Sequence, residues 1–312
     1  MLNVDRLRAL HAVAAQGSIL AAADALHVTT SAVSQQLAKL EREVGRPLLE
    51  KRGRGVTLTD TGRRLVAHAE QVLSMLEQAE AELEASREVV GGRLQIAAFA
   101  TSVRGLAPQA LLSLRQAYPH LQATLRELEP GDALPLLARR DLDLVIAQDW
   151  ANAPLALPDG VVKAPLLDDV ADIALPRSHR LARQAKVSLD DMVSEPWITW
   201  LEGSICHDWL MHTLRRRGHE PRVAHTASEY ATQLALVDAG LGAAVIPRLG
   251  RGPVPRGVKM VEPDPMLRRH VYAVWRQDAS RRAAIRAAVQ AFEAAAGALT
   301  SESPSPATWR RT

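Results

Sequence analysis

The chain holds 312 residues, 47% hydrophobic and 23% charged, with a single cysteine and a formal net charge of +3. Such a composition supports folded cores in more than one domain and excludes disulfide scaffolds, collagen-like repeats and wholly disordered chains. No apolar run approaches the eighteen or so residues of a membrane span, and the N-terminus reads as an amphipathic helix rather than a signal peptide, so a soluble cytoplasmic protein without membrane contact is expected.

Residues 3–16 predict a first helix with Val4, Leu7, Leu10, Val13 and Ala14 on one side and Gly17 closing it. Ser18 stands where an N-cap would start a short Ala-rich second helix, because its hydroxyl can satisfy an orphan N–H. After Leu26-His27-Val28 a tight turn leads into a third helix beginning near Thr30-Ser31. At about 100° per residue, Leu37, Leu40 and Val44 fall within about 40° of Val33, which gives an apolar stripe. Ser31, Gln35, Ala38 and Arg42 fall opposite, flanked by Ser34 and Lys39. An ordinary solvated helix shares this pattern. Hydroxyls, amides and positive charge on one face are also what a helix needs to hydrogen-bond base edges in a major groove, so Thr30, Ser31, Ser34, Gln35 and Lys39 are candidate DNA contacts. Two short β-prone pieces over 46–59 flank a Gly-broken basic turn, as in a two-stranded wing. Its Lys51, Arg52 and Arg54 suit phosphates or a minor groove.

A long helix is expected from Thr61 to about Val90, roughly 40 Å at about 1.5 Å per residue. Leu65, Ala69, Val72, Leu76, Ala79, Leu83, Ser86 and Val90 follow a strict 4,3 spacing, which predicts a coiled-coil seam. Residues 65–90 carry one Arg against six Glu, whereas residues 1–64 carry ten Lys/Arg against six Asp/Glu. The acidic helix therefore suits a partner subunit and the basic head suits DNA.

Beyond the hinge at Gly91-Gly92, strands at 93–98, 123–128 and 142–147 alternate with helices at 106–118 and 134–140, which implies parallel sheet. The Pro-rich stretch 153–160 marks a crossing into a second lobe with strands at 161–167, 171–175, 196–200, 222–226, 243–246 and 258–261. That lobe's helices are expected at 207–217 and 229–239. A strand at 269–275 and a helix at 281–298 return to the first lobe, and the tail 299–312 is polar, Pro-rich and expected to be disordered.

Catalytic and metal motifs are missing. Gly53-Arg54-Gly55 starts a dinucleotide pattern, but Leu58 stands where its third glycine belongs. Neither a Walker loop nor a Ser-centred elbow occurs, and the ten histidines form no ligand cluster, so neither an enzyme nor a metal protein is expected. The setting Leu201-Glu202-Gly203-Ser204-Ile205-Cys206-His207-Asp208 leaves a thiol-based redox reading open, although no second cysteine exists to resolve an oxidised Cys206.

The sequence resembles the LysR-type transcriptional regulators. The resemblance is carried by Gly17-Ser18, Ala22-Ala23, Leu26-His27-Val28, Ser31-Ala32-Val33-Ser34-Gln35, Leu40-Glu41, Gly45, Pro47-Leu48-Leu49, Arg52 and Leu58-Thr59-Asp60-Thr61-Gly62. It departs where many members carry Gln-Pro at the start of the recognition helix; here Thr30-Ser31 stand instead, so base preference does not transfer. The resemblance implies a multidomain chain: an all-α winged helix-turn-helix head at 1–60, a linker and dimerisation helix at 61–90, and a two-lobed α/β effector domain at 91–298. That domain is of the periplasmic-binding-protein-like (type 2) kind, with lobe I at about 91–160 and 268–298 and lobe II at about 161–267. Leu65, Val72, Leu76, Ala79 and Leu83 are the dimerisation candidates. The cleft candidates carried over are Thr101, Ser102, Asp132, Gln148, Thr199, Trp200, Ser228 and Pro247. Their hydroxyls argue for an anionic or polar effector, a carboxylate above all, and no other cofactor is implied. The partners implied are double-stranded DNA at a dyad site and a second copy of the chain, with a dimer of dimers and RNA polymerase as further candidates. A regulator gated by a small molecule is the leading reading; an architectural or replication-modulating DNA binder is the alternative. Effector, target site and sign of regulation are not written in the sequence.

Overall fold

The computed structural model describes residues 2–26, 28–52, 55–85 and 90–302, which fall into a small N-terminal unit and a larger second one. Arg54, Ser86 and the tail from 303 onward, all named in the sequence reading, lie outside the described residues.

In the first unit, α1 (Val4–Gln16), α2 (Ile19–Ala25) and α3 (Thr30–Val44) are followed by the antiparallel hairpin β1 (Leu49–Arg52) and β2 (Gly55–Leu58), then α4 (Asp60–Ala85). Each of the first three helices has a side-chain cap. Asn3 accepts from the Asp5 amide at 2.9 Å, Ser18 from Ala21 at 3.1 Å and Thr29 from Ala32 at 3.1 Å, each satisfying a donor that has no partner within its helix. Leu7, Leu10, Val13, Ala22, Ala23, Val33, Leu37, Leu40 and Leu48 form the core, onto which Leu65, Val66 and Ala69 of α4 pack. Of the expected seam, Ala69 is buried in the head core and Leu65 packs partly buried against it, Leu76 is half-buried, and Val72 and Ala79 are exposed, as is Met75 beside them. The side chain of Leu83 lies outside the described residues.

In the larger unit, β3 (Gly92–Ala98) pairs in parallel with both β4 (Leu121–Glu127) and β5 (Leu144–Trp150). The connections are α5 (Ala100–Gly105), α6 (Ala107–Ala117) and α7 (Pro130–Ala138). All seven residues of β5 are buried, as expected of a strand covered on both faces. The long strand β6 (Val161–Pro176) then crosses the unit. β7 (Lys186–Val187), β8 (Pro196–Thr199), α8 (Ile205–Arg215), β9 (Arg222–Thr226), α9 (Tyr230–Asp238), β10 (Ala244–Pro247) and β11 (Val258–Pro263) build the second lobe. β12 (Leu267–Arg276) crosses back between β5 and β6, and α10 (Ala283–Glu302) closes the chain, running through the first residues of the expected tail.

The crossing lies later than the Pro-rich stretch suggested. The first half of β6, over Val161–Leu167, pairs with β12 inside the first lobe, and only its second half, Ala171–Pro176, pairs with β10 and β11. The expected strands at 161–167 and 171–175 are thus one strand, and the lobes meet near Asp168–Val170. Each lobe has its own core: one around Ala97, Leu137, Val145 and Val274, the other around Ile173, Trp197, Leu210 and Val245. No described helix is long and apolar enough to cross a membrane.

Gly62, in the first turn of α4, fixes the hairpin to that helix. A Cβ there would stand 2.2 Å from the Leu48 carbonyl oxygen, which accepts from the Thr59 amide at 3.0 Å. Gly62→Val should therefore destabilise the first unit by about 1–3 kcal/mol, the usual cost of overpacking. None of the six tryptophans lies before residue 90, so fluorescence reports the larger unit alone. The loss should appear in amide exchange of the head with tryptophan unfolding unchanged; unaltered exchange would release the hairpin from this constraint.

Candidate nucleic-acid interface and effector cleft

Helix α3 buries Val33, Leu37 and Leu40 and exposes Thr30, Ser31, Ser34, Gln35, Ala38 and Lys39. The five predicted base and phosphate contacts on this helix thus share an exposed surface. Glu41, on the same helix, accepts from the Leu48 amide at 2.8 Å and from Leu49 at 3.3 Å, and so sets where the hairpin leaves α3. Spacing does not single it out, because its role depends on a contact seven residues away. The side chains of Lys51 and Arg52 at the hairpin tip lie outside the described set, as does Arg54.

In the larger unit the lobes are tied by a guanidinium that sequence reasoning missed. Arg269 of β12 is fully buried and stands opposite Asp169 of β6 in the strand register. Its Nε and Nη2 donate to Asp169 Oδ2 at 2.8 and 2.6 Å, Nη2 also donates to Thr101 Oγ1 at 2.8 Å, and Nη1 donates to Gln148 Oε1. The Phe99 ring lies 5.3 Å from the guanidinium carbon. Burial lowers the Arg269 pKa and the Asp169 carboxylate more than restores it, so the group stays charged. Asp169 Oδ1 in turn accepts from the Leu249 amide of the second lobe at 2.9 Å, and Gln148 Nε2 donates to Cys206 Sγ of α8 at 3.6 Å. One polar chain therefore runs from lobe to lobe through Arg269.

This chain engages Thr101 and Gln148 of the predicted effector cluster. Thr101 accepts from Arg269 and keeps its own proton to donate, whereas Ser102 donates to the Phe99 carbonyl at 2.7 Å and so has spent its proton within the fold. Thr199 is fully buried beside His207, Trp200 packs edge-on against Tyr230, and the Pro247 carbonyl accepts from Arg251 at 3.2 Å. Of the eight candidates, Asp132 and Ser228 alone line the cavity between the lobes.

That cavity, about 620 Å³, is bounded in the first lobe by α5 and the start of α7 and in the second by the start of α9 and the loop after β10. It holds charged groups absent from the predicted set: Arg104, Glu127, Glu129, Glu229 and Arg251. All follow strand ends or sit in a first or last helical turn, a position that could have flagged them. Gly250, at φ +63°, lets the loop touch α5, since a Cβ there would meet the Thr101 carbonyl oxygen at 2.3 Å. Cys206 is buried, and desolvation pushes its thiol up to about 12. A thiol so protonated is a poor nucleophile in this arrangement of the lobes.

Residues 4–63 match the family described as "Bacterial regulatory helix-turn-helix protein, lysR family", and residues 87–297 match the "LysR substrate binding domain". The chain is 28% identical over 249 residues to the uncharacterised HTH-type transcriptional regulator YnfL of Escherichia coli (strain K12), with 79% of this chain and 82% of that protein covered. It is also 28% identical over 244 residues to the regulator CysL of Bacillus subtilis (strain 168), covering 78% and 80%. Among solved structures, a full-length point variant of OxyR from Pseudomonas aeruginosa superposes with a TM-score of 0.70 at 22% identity, covering 94% and 95%. Full-length CbnR complexed with its target DNA gives 0.54 at 19% identity, covering 94% and 100%.

Removing one partner of a buried ion pair strands the other charge, at a cost of about 3–5 kcal/mol. Arg269→Ala should destabilise the larger unit by that amount in urea unfolding followed by tryptophan fluorescence. Arg269→Met combined with Asp169→Asn removes both charges and keeps an acceptor for Leu249, so it should recover most of the loss. Equal loss in the single and double variants would show that packing, not charge pairing, sets the cost.

Proposed function

As the chain belongs to the LysR family of DNA-binding transcriptional regulators, with a helix-turn-helix head and an effector-binding domain, we propose that it reads a dyad DNA site as a homo-oligomer in the cytoplasm under control of a small molecule bound between the lobes. The observation that carries the DNA reading is the exposed α3 face. Ser34 and Gln35 project between an N-capped first turn and a buried apolar stripe, free of intramolecular hydrogen bonds among those described. An amide on such a face can pair with an adenine edge, whereas the basic hairpin tip is suited to phosphates.

Self-association is supported by α4, whose Val72 and Met75 are 39% and 69% exposed although apolar. A second copy of the same helix would cover them, and two heads would then share one effective concentration on a dyad site. The effector reading rests on the interlobe cavity. A molecule held there regulates only if it favours one lobe arrangement over another, and Arg104 marks where it would do so: its Nε donates to the Gly250 carbonyl across the cleft at 3.0 Å.

Gln35→Ala should cost about 1–3 kcal/mol at the cognate site and relax preference at one base position. Binding selections on randomised sites would show this, and undiminished discrimination would remove Gln35 from base reading. In sedimentation, Val72→Glu with Met75→Glu should yield monomers with both units folded; an intact dimer would place the interface elsewhere.

A further inference from the structure

The chemistry of the cavity narrows the effector class. Resting on the cleft reading above, we propose that the ligand is an extended zwitterion, its anionic end held by Arg104 and Arg251 and its ammonium end by Glu127, Glu129 and Asp132.

At the cationic end the carboxylates are shared. Asp172 accepts from Arg248 at 2.6 Å and from Arg251 at 2.7 Å, and Arg248 also lies 3.8 Å from Glu262, so Arg251 has only a carboxylate that a second guanidinium also uses. Arg104 donates to a carbonyl, that of Gly250, and faces the Tyr230 ring at 5.6 Å; among the described residues it makes no ion pair. Both arginines belong to this end because the Gly250-Arg251 loop is the one Arg104 grips.

The acidic end is separate from it. The Leu128 amide donates to the Ala98 carbonyl at 3.0 Å, which sets Glu127 and Glu129 beside the start of α5. Arg104 lies four residues beyond Ala100 on that helix, about 6 Å along its axis at about 1.5 Å per residue. Among the described residues Glu127, Glu129 and Asp132 have no cationic partner within ion-pairing distance. The protein packed around Glu129, then the neighbouring charges of Glu127 and Asp132, push its carboxyl above the ordinary carboxylate value, although Arg269 pulls the other way. Three acids crowd one end with no cation in ion-pairing distance among the described residues, and an ammonium would relieve that crowding. The cavity lining also includes apolar Leu234 and Ile246 and the Tyr230 ring, which suit an aliphatic spacer. A dianion would face the acids and a dication the arginines; only a molecule carrying both signs meets each end favourably.

The test uses the full chain and three probes of equal length: 6-aminohexanoate, adipate and 1,6-diaminohexane, titrated by calorimetry. The amino acid should bind at least about tenfold more tightly than either of the others. Glu129→Gln with Asp132→Asn should shift preference toward adipate, and Arg104→Gln should shift it toward the diamine, opposite movements that a purely structural role would not produce. Adipate or the diamine ranking first, equal affinities, or binding of none of the three would overturn the zwitterion. Ala231→Trp, which fills the cavity, separates the two readings. If it abolishes binding of whichever probe ranks first, the cleft stands even where the zwitterion fails; if binding survives, the cleft reading fails as well.

Discussion

The Arg269–Asp169 pair is the constraint on which the larger unit turns. Both residues lie on the two strands that cross between the lobes, in register with one another, and neither side chain reaches water appreciably. Withdrawing two charges from water costs several kcal/mol per ion, repaid only when the remaining donors and acceptors are met. Here they are met by residues from several elements: Thr101 of α5, Gln148 of β5 and the amide of Leu249 after β10. A pair satisfied in this way specifies one arrangement of strands more than it stabilises the fold. Slipping either crossing strand by one residue would turn the guanidinium away from its carboxylate and leave both buried alone.

The same pair fills the cleft floor with groups that bond to one another, while charged side chains line the cavity between the lobes. At the floor, guanidinium, carboxylate, amide and hydroxyl satisfy one another, and Cys206 is drawn in as a weak acceptor with a raised pKa. At the mouth, Arg104 and the acids after β4 stay apart on one wall. Asp172 illustrates the intermediate case. Burial would raise its pKa, but hydrogen bonds from Arg248 and Arg251 lower it, so it stays ionised and holds the loop that carries Arg251 into the cavity.

The head was readable in the sequence because its determinants are local. The cap at Ser18, the Val33–Leu37–Leu40 stripe and the Gly-broken basic turn each act within a few residues; the Thr29 cap is as local but was not read. The linker helix was half readable. A 4,3 repeat records that a face is apolar but not what covers it, and here the head takes Leu65 and Ala69 while Val72 and Met75 are left exposed. The cleft was read poorly for a related reason. Carrying over polar positions says nothing about which of them the protein itself engages, and for Thr101 and Gln148 that is decided by a partner more than a hundred residues away. The signal for Arg269 was nonetheless present, since Leu267, Arg269, Val271 and Ala273 share one face of a strand and are all buried. A charge in that series must be paired, and only the fold reveals with what.

The two kinds of charge in the larger unit respond differently to a bound molecule, and this sets where regulation can originate. Arg269 already uses four of its five N–H donors within the fold, so a ligand gains little by approaching it and would first have to break bonds that position both lobes. Arg104 has given up only part of its hydrogen-bonding capacity, to the Gly250 carbonyl of the opposite lobe. A ligand anion that takes its remaining donors tightens or loosens a contact that already bridges the cleft. Because a ligand shifts an equilibrium only by its difference in affinity for the two states, the group that bridges the lobes and still has donors to offer is where that difference arises. Under the proposed reading, the floor fixes the frame in which the lobes can move, and the mouth supplies the chemistry that chooses between positions.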